Sequence, residues 1–176
     1  MDRVSAAIAN VIGLVLAAVL AAMAGMACAP SQPPLSGSYL SASELATAVL
    51  GALERRDVTA LHGLALDERE FENHVWPDLP AARPERNMPM SFVWGDLHQK
   101  SEASLGRTLA SRGGQRFSLV SVRFAGGTTA YDSYLVHRQT VLGVRDSTGA
   151  EVNLRVFGSV LEKDGRFKVF SYVVED

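Results

Sequence analysis

Five polar side chains in the C-terminal half of the sequence interrupt segments that otherwise have the composition of buried β-strands. They are Tyr131, Ser133, His137, Gln139 and Ser171. If Gly126-Gly127 and Asp164-Gly165 are two-residue turns, side-chain alternation places all five on the face that packs against the helices. Buried polar groups need hydrogen-bond partners or water, and a pocket would provide both. The pattern therefore predicts a ligand site on this face of a sheet.

His137 is the member of this set that can exchange a proton near neutral pH. In a pocket it would act as a general base, and His98, one helical turn from Trp94, would supply a second histidine at the mouth. The alternative for His137 is a place at an open end of the sheet or a bond to a backbone carbonyl, which is the more common situation for a single histidine. Trp94 and His98 would then simply border the core.

Other kinds of chemistry lack the residue spacing that they require. His62 and His74 show no histidine spacing of three or four with a carboxylate, which would mark a metal site. Gly113-Gly114 follows a predicted helix and Gly126-Gly127 joins two predicted strands, so neither pair forms a phosphate-binding loop ahead of a helix. Cys28 is the only cysteine, which excludes an intrachain disulfide and a zinc site built on paired thiolates. We therefore expect no metal ion and no cofactor.

The composition is that of a chain that folds. The 176 residues suit one domain once an N-terminal membrane segment is subtracted, and 47% hydrophobic and 20% charged residues are close to globular averages. The formal net charge of -2 and the lack of a Lys/Arg block give no field that would attract nucleic acid.

The N-terminal segment indicates where the protein goes. Residues Ala6 to Ala27 carry no charge and follow a short head containing Arg3, as in an export signal. Gly25-Met26-Ala27-Cys28 then resembles a bacterial lipoprotein lipobox, although Leu is typical at the position of Gly25. The resemblance implies that Cys28 becomes the lipidated first residue of the mature protein, with the domain outside the cytoplasm in the cell envelope. The alternative is a retained signal anchor, since roughly 20 apolar residues can span a bilayer.

These features divide the chain into three parts. Residues 1–27 are a signal peptide or membrane anchor, residues 28–40 a tether, and residues 41–176 a folded domain. The proline- and serine-rich composition from Ala29 to Ser38 predicts that the tether buries too little apolar surface to become ordered.

Helices are expected in the first half of the domain. Ser41 and Glu44 have the spacing of a capping box, and apolar residues follow at helical intervals. Four prolines between Pro77 and Pro89 predict a long surface loop. The expected helices cover residues 42–56 and 91–112, with two shorter helices capped by Asp57 and Asp67. Glu68, Glu70 and Glu72 are expected on a solvated helix face.

The second half of the domain is predicted to be a sheet. Residues after Gln115 are rich in Val, Phe, Tyr and Thr, and turn signals interrupt them at Gly126-Gly127, at Asp146 to Gly149 and at Asp164-Gly165. The result is a four-stranded antiparallel meander over residues 116–125, 128–145, 150–163 and 166–174. The predicted fold class is α+β, with N-terminal helices packed on a curved sheet.

Alternation also predicts which side chains face away from the helices. The expected outward set is Tyr134, Phe157, Phe170 and Tyr172, rimmed by Arg138 and Arg155 and accompanied by Lys168. This composition is typical of an interface core, which would serve a homodimer or another envelope protein. The alternative is ordinary cross-strand packing. The opposite face would carry the aliphatic residues, including Val120 and Val152.

Three helices followed by four strands, with the longest strands in the middle of the meander, resemble the nuclear transport factor 2-like superfamily over residues 41–176. The resemblance rests on element order. It implies a cone-like domain with a pocket between the concave sheet face and the helices, and dimers through the outer face. Members that catalyse proton transfer or dehydration use an Asp or His base with Tyr or Asp donors, whereas Tyr131 and Asp132 are adjacent here and point to opposite faces. A cystatin-like helix and sheet is the nearest competitor.

The sequence favours a membrane-anchored, non-catalytic module that binds a small apolar ligand or assembles with a partner. The alternative is a small pocket enzyme of the isomerase or dehydratase type that uses His137, with His98, as general base. The two hypotheses differ in one structural requirement, because the enzyme needs His137 within hydrogen-bond reach of the pocket contents.

Overall fold

The computed structural model describes residues 33–174. Within these residues the fold class is α+β, as predicted, with four α-helices ahead of a three-stranded and a four-stranded antiparallel sheet. The predicted export segment and Cys28 lie outside the described residues, as do Glu175 and Asp176. Within residues 33–174, no helix combines the length and the apolar composition that a membrane span requires.

The helices begin where short polar side chains cap them. The Ser41 hydroxyl accepts a hydrogen bond from the backbone N–H of Glu44 at 3.1 Å, and the Glu44 carboxylate accepts one from the N–H of Leu40 at 3.1 Å. Asp57 and Asp67 cap the next two helices, as the sequence predicts. The helices are α1 (Ala42–Glu54), α2 (Val58–Leu64), α3 (Glu68–Glu70) and α4 (Met90–Arg112).

The segment between α3 and α4 contains short helical turns. A π-helical turn extends α3, and three 3-10 turns follow it. They cover Phe71–Val75, Trp76–Asp78, Pro80–Ala82 and Pro84–Arg86. Prolines lack the N–H group that a longer helix needs, which explains why the loop from Pro77 to Pro89 holds nothing longer than these turns.

In the described part of the chain, seven strands form two sheets, so the prediction of a single four-stranded meander is wrong. The strands are β1 (Ser118–Phe124), β2 (Thr128–Ala130), β3 (Leu135–His137), β4 (Thr140–Arg145), β5 (Glu151–Leu154), β6 (Ser159–Lys163) and β7 (Arg166–Ser171). The sheet orders are β1-β4-β5 and β2-β3-β6-β7. Bends within the long predicted strands separate the two sheets.

The predicted hairpin turn at Gly126-Gly127 is also wrong. The chain continues through these glycines beside the segment that joins β3 to β4, since the Gly126 N–H bonds the Arg138 carbonyl at 3.1 Å and the Arg138 N–H bonds the Gly127 carbonyl at 2.9 Å. The reversal comes after β2, where the Tyr131 N–H bonds the Tyr134 carbonyl at 2.9 Å. A glycine pair can therefore mark a bend in a continuing strand as well as a hairpin.

The other two predicted turns are confirmed. Lys163 pairs with Arg166 across a two-residue turn whose Asp164 has φ 52°, as a primed hairpin turn requires. The turn after β4 is also present, although Arg145 pairs with Glu151, one residue beyond the predicted partner.

Two bends bring β4 and β6 together at the junction of the sheets. Gln139 has a left-handed backbone, φ 53°, between β3 and β4. Gly158 precedes β6, and a Cβ atom there would overlap the Val173 carbonyl. The Thr140 N–H bonds the Gly158 carbonyl at 2.8 Å, which joins the two bends.

The bends and an irregularity in β1 shift the predicted alternation of side chains. Val120 and Val152, expected inside, are 51% and 37% exposed. Four side chains expected on the outward face are at most 3% exposed, namely Tyr134, Phe157, Lys168 and Tyr172. The predicted outward interface is therefore wrong, because three of its four aromatic rings belong to the core.

The core consists of two clusters. The aliphatic cluster joins α1 and α2 to strands of both sheets, with Leu53, Leu61 and Leu142 at its centre. The aromatic cluster is built around Phe71 and Tyr134, with further rings packed against it from α4 and β7.

Residues 35–40 form a strap that lies on the domain. Tyr39 and Phe167 exchange backbone hydrogen bonds at 2.9 and 2.8 Å, and the Arg166 guanidinium donates to the Ser38 carbonyl at 2.8 Å. The prediction of an unordered tether is thus wrong for residues 35–38. The prediction considered only how much apolar surface the segment can bury. The strap is instead held mainly by hydrogen bonds to β7.

Candidate functional site

A cleft of about 590 Å³ lies between the N-terminal half of α4 and the bends of the two sheets. This volume is in the range of pockets that hold small organic ligands. The apolar walls of the cleft include Phe71, Val93, Leu97, Phe157 and Phe170. Its polar lining includes Tyr131, Gln139, Thr140, Ser159 and Ser171.

Aromatic packing holds the apolar walls in place. Phe71 is 1% exposed, and its ring centre lies 5.3 Å from that of Trp94 on α4. Val93 and Leu97, one helical turn apart on α4, line the cleft beside them. Phe71 starts the π-helical turn, an irregularity that occurs often at functional sites. The wall is therefore supported from both the helix and the loop.

The polar part of the cleft comes from the two bends. Thr140 is 1% exposed, and its hydroxyl donates to the Gly158 carbonyl at 3.1 Å. Gln139 lines the cleft from a left-handed backbone conformation, which is uncommon for a residue other than glycine and is concentrated at functional sites. The interruption of the strands is thus what creates the polar lining.

Charged side chains lie at the rim of the cleft. Among the described residues that line the cleft, Lys100, Arg138 and Arg155 are cationic and Asp96 is acidic. The Lys100 ammonium donates to the Asp96 carboxylate at 2.7 Å, so these two charges offset each other. Arg138 and Arg155 are both exposed.

The structure brings together some of the predicted pocket residues. Tyr131, Gln139 and Ser171 line the cleft. Arg138, Arg155, Phe157 and Phe170, which alternation predicted for an outward interface, line it as well. Alternation along unbroken strands does not predict their place in the cleft, because the strands bend. Contact of these residues with a ligand stays a prediction.

His137 lies in a polar chain within the sheet and not in the cleft. Its Nδ1 is 2.8 Å from the Thr128 hydroxyl, its Nε2 is 2.8 Å from the Glu162 carboxylate, and its ring stacks on Phe124 at 4.3 Å. Hydroxyl, imidazole and carboxylate stand in the order of a hydrolase triad. None of the three lines the cleft, however, and the imidazole is only 8% exposed. The geometry is that of a cross-strand link between β2, β3 and β6.

Trp94 and His98 belong to a second cavity, of about 330 Å³, between α4 and the residues around the start of α3. Their rings stack with centres 5.3 Å apart. The cavity also contains His62, which lies 3.1 Å from the Glu102 carboxylate. The predicted pair of His98 and His137 at one pocket mouth is therefore wrong, because the two side chains line different parts of the domain.

Ser133 lies at the turn between β2 and β3 and does not line the cleft. Its N–H donates to the Asp78 carboxylate at 2.8 Å, and its hydroxyl accepts from the Lys163 ammonium at 3.0 Å. These bonds attach the proline-rich loop to the sheet, which is a structural role.

Tyr134 and Tyr172 act as buried anchors. The Tyr172 hydroxyl donates to the Leu61 carbonyl at 2.7 Å, and the Tyr134 hydroxyl donates to the Val75 carbonyl at 3.3 Å. Burial raises the pKa of both phenols above the ordinary value. Each hydroxyl therefore stays protonated and joins a helical segment to a sheet.

A buried ion pair lies beneath the strap. The Lys168 ammonium, whose side chain is 1% exposed, lies 2.7 Å from the Glu70 carboxylate and donates to the Ser36 carbonyl at 2.6 Å. Burial would raise the pKa of the Glu70 carboxyl, but hydrogen bonds from Lys168 and the Asp67 N–H, together with the Lys168 charge, outweigh it and lower the pKa. The solvated positions predicted for Glu70 and Lys168 are wrong. The sequence signal is weak, since the sole hint is a lysine between the strand residues Phe167 and Val169.

Among residues 33–174, no three His, Cys, Asp or Glu side chains come together as metal ligands would. Comparison with protein-family models, with curated proteins and with solved structures finds no match to this chain. The cleft geometry is therefore the basis for any assignment of function.

Proposed function

We propose that this chain is a bacterial cell-envelope lipoprotein whose α+β domain is a non-catalytic module for binding a small ligand in the cleft. The cleft is the observation that carries the ligand-binding part. Aromatic and aliphatic walls with a few polar groups between them are what small-molecule pockets have in common. The sequence at Gly25 to Cys28 carries the lipoprotein part, as a resemblance.

The position of His137 favours binding over catalysis. An isomerase or dehydratase with His137 as general base needs the imidazole within about 3 Å of the substrate. The side chain is engaged by Thr128 and Glu162 and does not border the cleft. His98 lies in the second cavity. Neither histidine meets the requirement of the enzyme hypothesis in this arrangement.

The cone-like architecture of the nuclear transport factor 2-like superfamily belongs to the same proposal. The order of helices before antiparallel strands supports it, as does the cleft between α4 and the sheet bends. Dimerisation through an outward aromatic face loses its support, because Tyr134, Phe157 and Tyr172 are buried.

Ligand binding is tested by filling the cleft. We expect the full-length protein, purified from its native membrane and analysed by mass spectrometry after extraction, to carry a small molecule in stoichiometric amount. Val93→Trp places an indole in the cleft and should abolish the bound molecule. Phe92→Trp is the matched control, since the neighbouring side chain is 66% exposed and does not line the cleft. Equal loading of both variants would contradict the proposal.

The membrane anchor is tested by the intact mass of the product made in a bacterial host. Cleavage before Cys28 with addition of acyl chains is expected for the natural sequence, and Cys28→Ser should be neither cleaved at this site nor acylated. A natural chain that keeps its N-terminal residues and gains no acyl mass would contradict the lipoprotein assignment.

A further inference from the structure

We propose that the proline-rich loop docks on a lipid bilayer that contains anionic phospholipid. The contact is made by a surface that we call the loop surface and define as Arg83, Arg86, Met88 and Phe92. This inference rests on the lipoprotein part of the proposed function, because it states how the domain contacts the membrane that holds its N-terminus. It is carried by two exposed apolar side chains and by their place in the domain.

Two large apolar side chains of the loop surface are in contact with water. Phe92, in the first turn of α4, is 66% exposed, and Met88 is 42% exposed. Their backbones lie within one helical turn of each other, because the Phe92 N–H bonds the Pro89 carbonyl at 3.1 Å. Neighbouring apolar groups at a surface mark contacts with a membrane or a partner. An aromatic ring is among the side chains that insert into the boundary between head groups and acyl chains.

Cationic side chains flank this apolar pair. Residues 83–89 are all exposed, and they carry two arginines and one glutamate, Glu85. Arg83 and Met88 line the same shallow hollow of about 250 Å³, so a cation and an apolar side chain border one surface. Guanidinium groups form paired hydrogen bonds with phosphate oxygens. Basic residues beside apolar ones are typical of surfaces that bind anionic membranes.

The chain enters the domain at the cluster that supports the loop surface. Leu35, near the start of the strap, packs against the aromatic cluster, as do Leu79 in the loop and Met90 at its end. The lipidation candidate Cys28 precedes Leu35 by seven residues, which span about 25 Å at most. An acylated Cys28 would therefore hold this part of the domain close to the bilayer. A bilayer is thus the partner that the loop surface meets without diffusion of a second molecule.

Photolabelling from the bilayer tests this inference on the full-length chain. The protein is reconstituted into nanodiscs of phosphatidylethanolamine and phosphatidylglycerol, with a phospholipid that carries a diazirine on its acyl chain near the glycerol. We expect label on Met88 and Phe92, located by fragmentation of the labelled peptide. Val120 and Val152 are internal controls, since both are exposed apolar residues of the three-stranded sheet and should stay unlabelled.

A serine variant tests the apolar contact. Phe92→Ser should lower the label on Met88 about fivefold, because the domain loses its largest apolar contact with the lipid. Val120→Ser removes an exposed apolar side chain from the three-stranded sheet and is the matched control, so the label on Met88 should not change. Equal label on Met88 and Val120, or equal label on Met88 in the two variants, would overturn the docking surface.

The charge of the lipid tests the arginines. Arg83→Gln combined with Arg86→Gln should lower the label on Met88 about fivefold in discs that contain phosphatidylglycerol and leave it unchanged in discs of phosphatidylcholine. Arg107→Gln, at an exposed position of α4 outside the loop surface, is the control and should have no effect in either lipid. If the double variant matches this control in both lipids, the anionic partner is wrong.

The lipoprotein assignment is judged separately in the same sample, by intact mass and by retention of the chain on the discs. An acylated chain that stays on the discs without label on Met88 or Phe92 would overturn the docking surface and leave the lipoprotein assignment standing. If Phe92→Ser then converts an unlabelled dimer into a monomer, a second copy of the chain covers the surface in place of the membrane. A chain that does not stay on the discs would overturn both.

Discussion

Two groups of basic side chains in the sheets of this domain have opposite surroundings. Lys168 is enclosed, with its ammonium bound by the Glu70 carboxylate and the Ser36 carbonyl. Arg138 and Arg155 stand exposed at the rim of the cleft. Alternation along ideal strands predicts one outward face for all three, although the structure assigns them to a closed site and an open one.

The difference shows what decides the role of a charge on a strand. An enclosed charge must be neutralised by protein groups, and its removal leaves the partner buried without compensation. An exposed charge stays largely in contact with water, so its removal costs the fold little. The closed pair is thus expected to contribute more to stability than the exposed arginines do.

The largest expected effect is at the closed site. Lys168→Met leaves the Glu70 carboxylate buried without its cation and should lower the free energy of unfolding by about 3–5 kcal/mol. Arg138→Met should change it by less than about 0.5 kcal/mol, since the guanidinium is exposed. Urea denaturation of the two variants measures the contrast. Equal losses would break the distinction between the two sites.

Apolar residues sharpen the same contrast. Leu53 is 1% exposed in the aliphatic cluster. Leu53→Ala should lower the free energy of unfolding by about 2–5 kcal/mol, because a cavity forms in a filled core. Leu97→Ala should cost about 1 kcal/mol or less, because its side chain already borders open space. Thermal unfolding of both variants provides the test. A larger loss for Leu97→Ala would mean that the cleft is a packed part of the core.

A smaller effect is expected where the strap meets the ion pair. The Ser36 hydroxyl donates to the Glu70 carboxylate at 2.8 Å, and Ser36→Ala should lower the free energy of unfolding by about 1 kcal/mol. Ser43→Ala, at an exposed position of α1, is the control and should be neutral within about 0.5 kcal/mol. If the two variants have the same free energy of unfolding in urea, the strap does not contribute to the stability of the closed site.

The most subtle effect is on the dependence of stability on pH. The pKa of the Glu70 carboxyl is lowered from its ordinary value of 4.5, so the folded state favours the charged form. Its contribution to stability is complete above that value and is lost as the pH falls through the lower folded pKa. Unfolding of the natural sequence should therefore be more acid-sensitive below pH 4.5 than that of Glu70→Gln, which lacks this titration. If the free energies of unfolding of the natural sequence and of Glu70→Gln change in parallel with pH, the ion pair of Glu70 and Lys168 is contradicted.

Local signals in the sequence predict much of the fold. Ser41, Asp57 and Asp67 mark helix starts because their side chains bond backbone N–H groups within three residues, a purely local interaction. The turn at Asp164-Gly165 is equally local, since it depends on the backbone conformation of two residues. Helix caps and tight turns of this kind can therefore be predicted from a few neighbouring residues alone.

The cleft depends on long-range geometry, which explains why its prediction is incomplete. Tyr131, Gln139 and Ser171 could be identified because polar residues in apolar strands need partners. The bend at Gln139 has no strong local signal, and one missed bend reverses the side assigned to every residue beyond it. His137 and Arg138 precede this bend, and their predicted sides depend on a hairpin at Gly126-Gly127, whereas the chain reverses between Tyr131 and Tyr134. Arg138, expected at an interface, lines the cleft, and His137, expected in a pocket, lies in the sheet interior.

The strap also protects the domain against unwanted polymerisation. β7 is the last strand of its sheet, and its outer edge is occupied by Tyr39, which pairs with Phe167, and by Ala65, which pairs with Val169. A strand edge with unsatisfied amides is a template for pairing with another molecule. A recombinant fragment that starts at Ser41 would leave the Phe167 N–H and carbonyl unpaired, so the edge of β7 could pair with another copy of the fragment. A fragment intended to stay monomeric must therefore retain the residues from Leu35 onward.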